Sequence, residues 1–125
     1  MTKQYHHSAS IDKYAIGVYY SLMEFIETPT FTRLITSLLP DDEYRLLQTE
    51  LVEHPEKGSL IKNGGGIRKV RFSAQGKGKS GGIRVIYYWL KDDGQIYMLL
   101  AYPKSKKDTL SDEETKILRD LVKEL

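Results

Sequence analysis

Lys69 and Arg71 stand two residues apart, so they share one face of an extended strand. Arg84 interrupts an otherwise apolar run over residues 83–90, and Lys104 follows Tyr102 just beyond another apolar stretch. A lone cation in a run that reads as covered on both faces needs a reason to be there. If the three stretches pair as consecutive antiparallel strands, Lys69, Arg71, Arg84 and Lys104 converge. Cations gathered in this way orient a phosphodiester and stabilise the extra charge of a pentacovalent transition state. A lysine among other cations has a lowered pKa and can take the proton of a ribose 2′-hydroxyl. No metal is required by such chemistry, and no Asp, Glu or His falls among these positions to hold one. The spacing alone is not specific, because basic strands also occur in RNA binders that do no chemistry.

The distribution of charge supports a polyanionic partner. The net charge is only +2, yet residues 62–107 hold eleven Lys/Arg against Asp92 and Asp93, a local +9. The segments on either side are acidic. Charge so concentrated usually meets a nucleic-acid backbone, and its plain alternative is a solvated, lysine-rich surface. The length, 125 residues, fits one domain with its own core. With no cysteine there is no disulfide framework, thiolate metal site or cysteine nucleophile. A composition that is 40% hydrophobic and 29% charged is globular. No apolar run approaches the roughly eighteen residues of a membrane span, and a cytoplasmic protein is expected.

The elements that must position these cations are legible from residue 23 onward. Residues 1–22 read as an N-terminal extension, polar and loop-like at its start, and Met23 is a candidate alternative start to a domain over 23–125. Residues 23–27 form a strand candidate. Thr30 can cap a helix carrying Phe31, Leu34, Ile35 and Leu38 at helical spacing. Pro40 stops it, and a second helix runs from Asp41 or Asp42 to His54. Acidic residues suit its start and His54 its end, which is the ordinary reading of that histidine. Strands follow over 67–73, 83–90 and 96–102, the last two joined by a turn at Asp93-Gly94 that favours positive φ. Ser111 and Glu114 make a capping box for a final helix with Ile117, Leu118, Leu121, Val122 and Leu125 on its face. The order β-α-α-β-β-β-α predicts a small α+β domain with a mainly antiparallel sheet.

Two motifs invite other readings. Gly76-Lys77-Gly78-Lys79-Ser80-Gly81-Gly82 is superficially a phosphate-binding P-loop, but Ser73 stands where its first glycine belongs and a strand follows where a helix is needed. It reads as a hairpin connection whose Lys77 and Lys79 can grip phosphates. The paired His6 and His7 lack plausible companion ligands, so no metal or cofactor is expected.

Taken together, Gly66-Ile67-Arg68-Lys69-Val70-Arg71-Phe72, the lysine-glycine loop, Gly82-Ile83-Arg84-Val85-Ile86-Tyr87-Tyr88 and the segment from Tyr102-Pro103-Lys104 to Leu110-Ser111 resemble RelE/HigB-type toxins of bacterial toxin–antitoxin modules. The resemblance covers roughly residues 23–125. It implies a RelE-like fold, cleavage of messenger RNA in the ribosomal A site, and neutralisation by a cognate antitoxin, often a helix-turn-helix DNA binder. It places Arg84 on the scissile phosphate and Lys69 and Arg71 at the basic pair of the preceding strand. Lys104 matches the basic position after the last strand. Many members carry a C-terminal tyrosine that stacks on the substrate base, but nothing aromatic follows Tyr102 here, so Tyr102 or Tyr88 would have to substitute.

The expected function is a metal-independent endoribonuclease acting on ribosome-bound mRNA. Arg84 would stabilise the phosphorane, Lys69 or Lys104 would move the proton, and Arg71 would neutralise charge. Arg68, Lys77, Lys79, Tyr102, Lys106 and Lys107 would hold RNA. The rivals are a non-catalytic RNA- or ribosome-binding module and a pure interaction protein whose cationic sheet serves an acidic partner.

Overall fold

The computed structural model describes the backbone of residues 3–7 and all of residues 23–73 and 82–125. Strands β1 (Lys3–His7) and β2 (Met23–Glu27) are followed by helices α1 (Pro29–Leu38) and α2 (Asp41–Glu53). Then come β3 (Ser59–Leu60), β4 (Arg68–Phe72), β5 (Ile83–Leu90), β6 (Gln95–Pro103) and helix α3 (Asp112–Val122). The strands form one sheet in the order β1-β2-β6-β5-β4-β3. Among the described residues only the β2–β6 pair is parallel. The small α+β fold with a mainly antiparallel sheet is therefore as expected, with two strands added. β3 has two residues, too few for any alternation to show. The start of the chain, read as loop-like for its polarity, instead pairs with β2 from Lys3↔Glu27 to His7↔Met23. An edge strand is held by backbone hydrogen bonds and needs no apolar alternation. The apolar stretch that follows it, residues 14–22, lies outside the described residues.

Helix α1 begins earlier than expected. Thr28, not Thr30, is the cap: its Oγ1 accepts from the Phe31 amide at 3.0 Å, and Pro29 takes the first helical position. The same hydroxyl donates to the Leu99 carbonyl at 2.9 Å, tying the helix start to β6. Asp41, Asp42 and Glu43 fill the first turn of α2 and complement its dipole. His54 caps its end, exposed, as its ordinary reading required.

The sheet separates two apolar clusters. Phe31, Ile35, Leu47 and Leu51 from the helix pair pack against Phe25, Val85, Tyr87 and Met98. Ile67, Ile86, Leu99 and Tyr102 form the other cluster, with Leu110 and Val122. Within the first, the Tyr87 hydroxyl donates to the Pro55 carbonyl at 2.6 Å and accepts from the Gly58 amide at 2.8 Å. A β-carbon at Gly58 would stand 2.9 Å from that oxygen, so only glycine allows the approach. In the turn from β5 to β6 it is Gly94 that takes positive φ, at 64°.

Glu27 is fully buried at the end of β2, where the Tyr44 and Thr32 hydroxyls donate to its carboxylate at 2.5 and 2.6 Å. Tyr44→Phe withdraws a hydrogen-bond donor from a buried carboxyl group and should cost about 2 kcal/mol of stability. Chemical denaturation checks this; an unchanged midpoint would show that the carboxylate finds another donor.

The capping box of α3 forms as expected, Ser111 and Glu114 bonding each other's amides at 3.1 and 2.9 Å. Its buried face differs from the expected one. Thr115, Leu118 and Val122 turn inward, while Ile117, Leu121 and Leu125 remain exposed. Ile117 and Leu121 stand at i, i+4 along the flank of the helix rather than beneath it, and Leu125 follows beyond its end.

Candidate phosphodiester site

Strands β4, β5 and β6 are consecutive antiparallel neighbours, the condition for the cations to converge. The register places Arg71 opposite Arg84, and Arg84 opposite Tyr102, so the three form one row across the sheet. Residues directly opposite project to the same face, and alternation brings Lys69 to that face as well. It is the face that carries the Ile86–Tyr102–Val122 cluster and α3.

Arg84 is only 5% exposed. Its Nε donates to Oδ1 of Asp108 at 2.7 Å, and the Asp108 side chain is about half exposed. The Asp108 backbone carbonyl accepts from Lys69 Nζ at 2.9 Å and from the Tyr102 hydroxyl at 3.4 Å. The hydrogen bond from Arg84 holds the Asp108 carboxyl below the ordinary aspartate value, and the charges of Lys69 and Arg71 add to this. Burial pushes the Tyr102 phenol up, with the Asp108 charge adding to it. At neutral pH the site therefore holds an ionised carboxylate on an arginine beside a protonated phenol.

The expected absence of an acid from this site is thus overturned. Asp108 lies at its centre, and its signal in the sequence was faint: it is the first acidic residue after the basic module, directly behind Lys106-Lys107. The chain has to return across the sheet to start α3, which brings that acid back onto the cations.

The other expected residues are divided. Lys69 and Arg71 also line an open groove of about 400 Å³ with Lys62, Thr109 and Asp112, a trough beside the cation row. Lys104 is exposed beyond β6, its amide bonded to the Gly82 carbonyl at 3.0 Å. Lys106 is exposed on the same segment. Lys77 and Lys79 lie outside the described residues.

Three residues expected to contact RNA have partners within the chain. Arg68 alternates to the face opposite Lys69, where its Nη1 donates to the Glu56 and Gly58 carbonyls at 3.0 and 2.8 Å, so it secures a turn. Tyr102 is 5% exposed, and Lys107 Nζ sits 5.0 Å from its ring centroid, so that face is not offered to a base. Lys107 is also ion-paired with Glu114, whose carboxyl that bond holds below its usual value. Tyr88 packs its ring edge against Gly66 and is partly buried.

A family model described as the RelE toxin of the RelE / RelB toxin-antitoxin system matches residues 26–125. The chain belongs to the RelE toxin family. Membership makes it a toxin of a toxin–antitoxin module and implies a cognate antitoxin as partner. The match spans α1 through α3 and contains every residue of the Arg84–Asp108 site. Among the described residues of this RelE toxin no helix is long and apolar enough to cross a membrane.

Proposed function

We propose that this RelE toxin is an endoribonuclease that cleaves mRNA in the ribosomal A site by attack of a ribose 2′-hydroxyl on the adjacent 3′-phosphate. The products are a 2′,3′-cyclic or 3′-phosphate and a 5′-hydroxyl. One observation carries the reading: a nearly buried arginine flanked by Arg71 and Lys69 on one sheet face, within a RelE toxin. Arg84 binds the phosphorane oxygens, Arg71 neutralises charge from the rim, and Lys69 or Lys104 moves the proton. Lys106, with Lys77 and Lys79, supplies backbone attraction to RNA. The antitoxin silences this face by covering it or by keeping the toxin off the ribosome. Purified toxin mixed with ribosomes programmed with a defined mRNA tests the proposal: a cut within the A-site codon supports it, and intact mRNA on a filled ribosome contradicts it.

The active unit in this reading is residues 23–125. A chain starting at Met23 keeps every site residue and loses the ladder from β1 to β2. It should cleave like the full chain while melting at a lower temperature, measured by parallel cleavage assays and thermal scans. An inactive but folded product would show that the first residues take part in function.

A further inference from the structure

A guanidinium that is 5% exposed inside a strand has little surface left for a ligand. The Nε of Arg84 ends on the carboxylate of Asp108, and that carboxylate is half exposed, so a small acid covers the solvent side of the arginine. We propose that Asp108 is a built-in competitor for Arg84: in the resting toxin its carboxylate stands where a substrate phosphate would bind, and a ribose–phosphate backbone engages Arg84 by displacing it. The proposal rests on the nuclease reading only for the identity of that anion.

Carboxylate and phosphate oxygens accept from the same guanidinium N–H, and one N–H cannot serve both at full strength. The surroundings of the carboxylate are already those of an anion site, because Arg84, Lys69 and Arg71 all act on it. A buried arginine left without a counterion is costly, which explains why the resting state is closed.

Opening does not require the segment to unfold. Residues 103–110 are fixed on either side of Asp108: the Lys104 amide bonds Gly82, Lys107 pairs with Glu114, and Leu110 is buried in the apolar cluster. The Asp108 backbone carbonyl can keep its bond from Lys69 while the side chain rotates outward into solvent. Asp108 thus acts as a latch on Arg84 and takes no part in bond breaking.

A short single-stranded oligodeoxynucleotide is the probe, because it offers phosphates but has no 2′-hydroxyl and cannot be cut by the proposed reaction. Asp108→Asn should bind it about tenfold more tightly than wild type at moderate salt. Asp112→Asn removes the same charge from the neighbouring groove and should gain less than about twofold from general electrostatics. In the unmodified protein, the NMR resonance of Arg84 Nε–Hε should move as the oligonucleotide binds, a readout that needs no variant to fold. Equal gains for both variants, weaker binding by Asp108→Asn, or an unmoved Arg84 resonance at saturation would each overturn the latch. Failure to cut mRNA on ribosomes, with the binding gain intact, would instead sink the nuclease reading and leave the latch standing.

Discussion

Arg84→Ala should abolish growth arrest when the toxin is induced and should lower cleavage on programmed ribosomes by about 10²–10³-fold, while the protein stays folded. The magnitude is that of removing one preorganised donor to a developing oxyanion. The fold survives because of what the substitution leaves behind. Asp108 is half exposed and regains water when its partner is lost, so no charge is stranded in the core. The flanking Ile83, Val85, Ile86 and Tyr87 keep β5 in both apolar clusters. Arg84→Lys is a sharper probe, since it retains the charge but loses the Nε–H that Asp108 accepts from, and it should recover little activity. Growth curves at matched expression, with thermal melts of the purified variants, check both. A toxic Arg84→Ala protein would mean that the chemistry lies elsewhere.

RNA free of ribosomes should be cut at least about a thousandfold more slowly than the same message in the A site. The reason lies in the protonation states within the site. In the resting site the Asp108 carboxyl is held below its ordinary value by its bond from Arg84, and when phosphate displaces it the side chain turns away from the reacting atoms, so in neither state does it serve as the base. The Tyr102 phenol is pushed up by burial and keeps its proton. Neither group is poised near neutrality, so much of the rate has to come from fixing the 2′-hydroxyl in line with the phosphate, and ribosomal alignment is worth factors of this size. Labelled mRNA incubated with toxin, with and without ribosomes, measures the ratio. Efficient cleavage of naked RNA would show that the toxin aligns its own substrate.

Much of the fold was legible in the sequence, from signals that are local. The β5 run, the capping box at Ser111 and Glu114, and the Asp93-Gly94 turn each depend on residues close in the chain. Alternation in β4 and the run of β5 were enough to predict that Lys69, Arg71 and Arg84 would meet. What escaped depends on contacts distant in the chain. Asp108 reaches Arg84 across twenty-four positions, and no periodicity marks an acid in an irregular segment. Arg68 looked like one more cation of a basic strand, but period two turns it to the opposite face. Tyr102 looked available to stack because it ends a strand, yet the segment that follows folds Lys107 over its ring. The inward face of α3 was misjudged for a related reason: helical spacing does not say which flank meets the sheet, and burial falls on Thr115 while Ile117 is left outside.

The central claim, cleavage of translated mRNA by this site, is tested most directly by mapping new 5′ ends of cellular mRNA shortly after induction, beside the Arg84→Ala variant. The account predicts cuts bearing 5′-hydroxyls, phased with the codons of translated frames and absent from the variant. Cuts without codon phase, cuts that persist in the variant, or growth arrest with every message intact would contradict it.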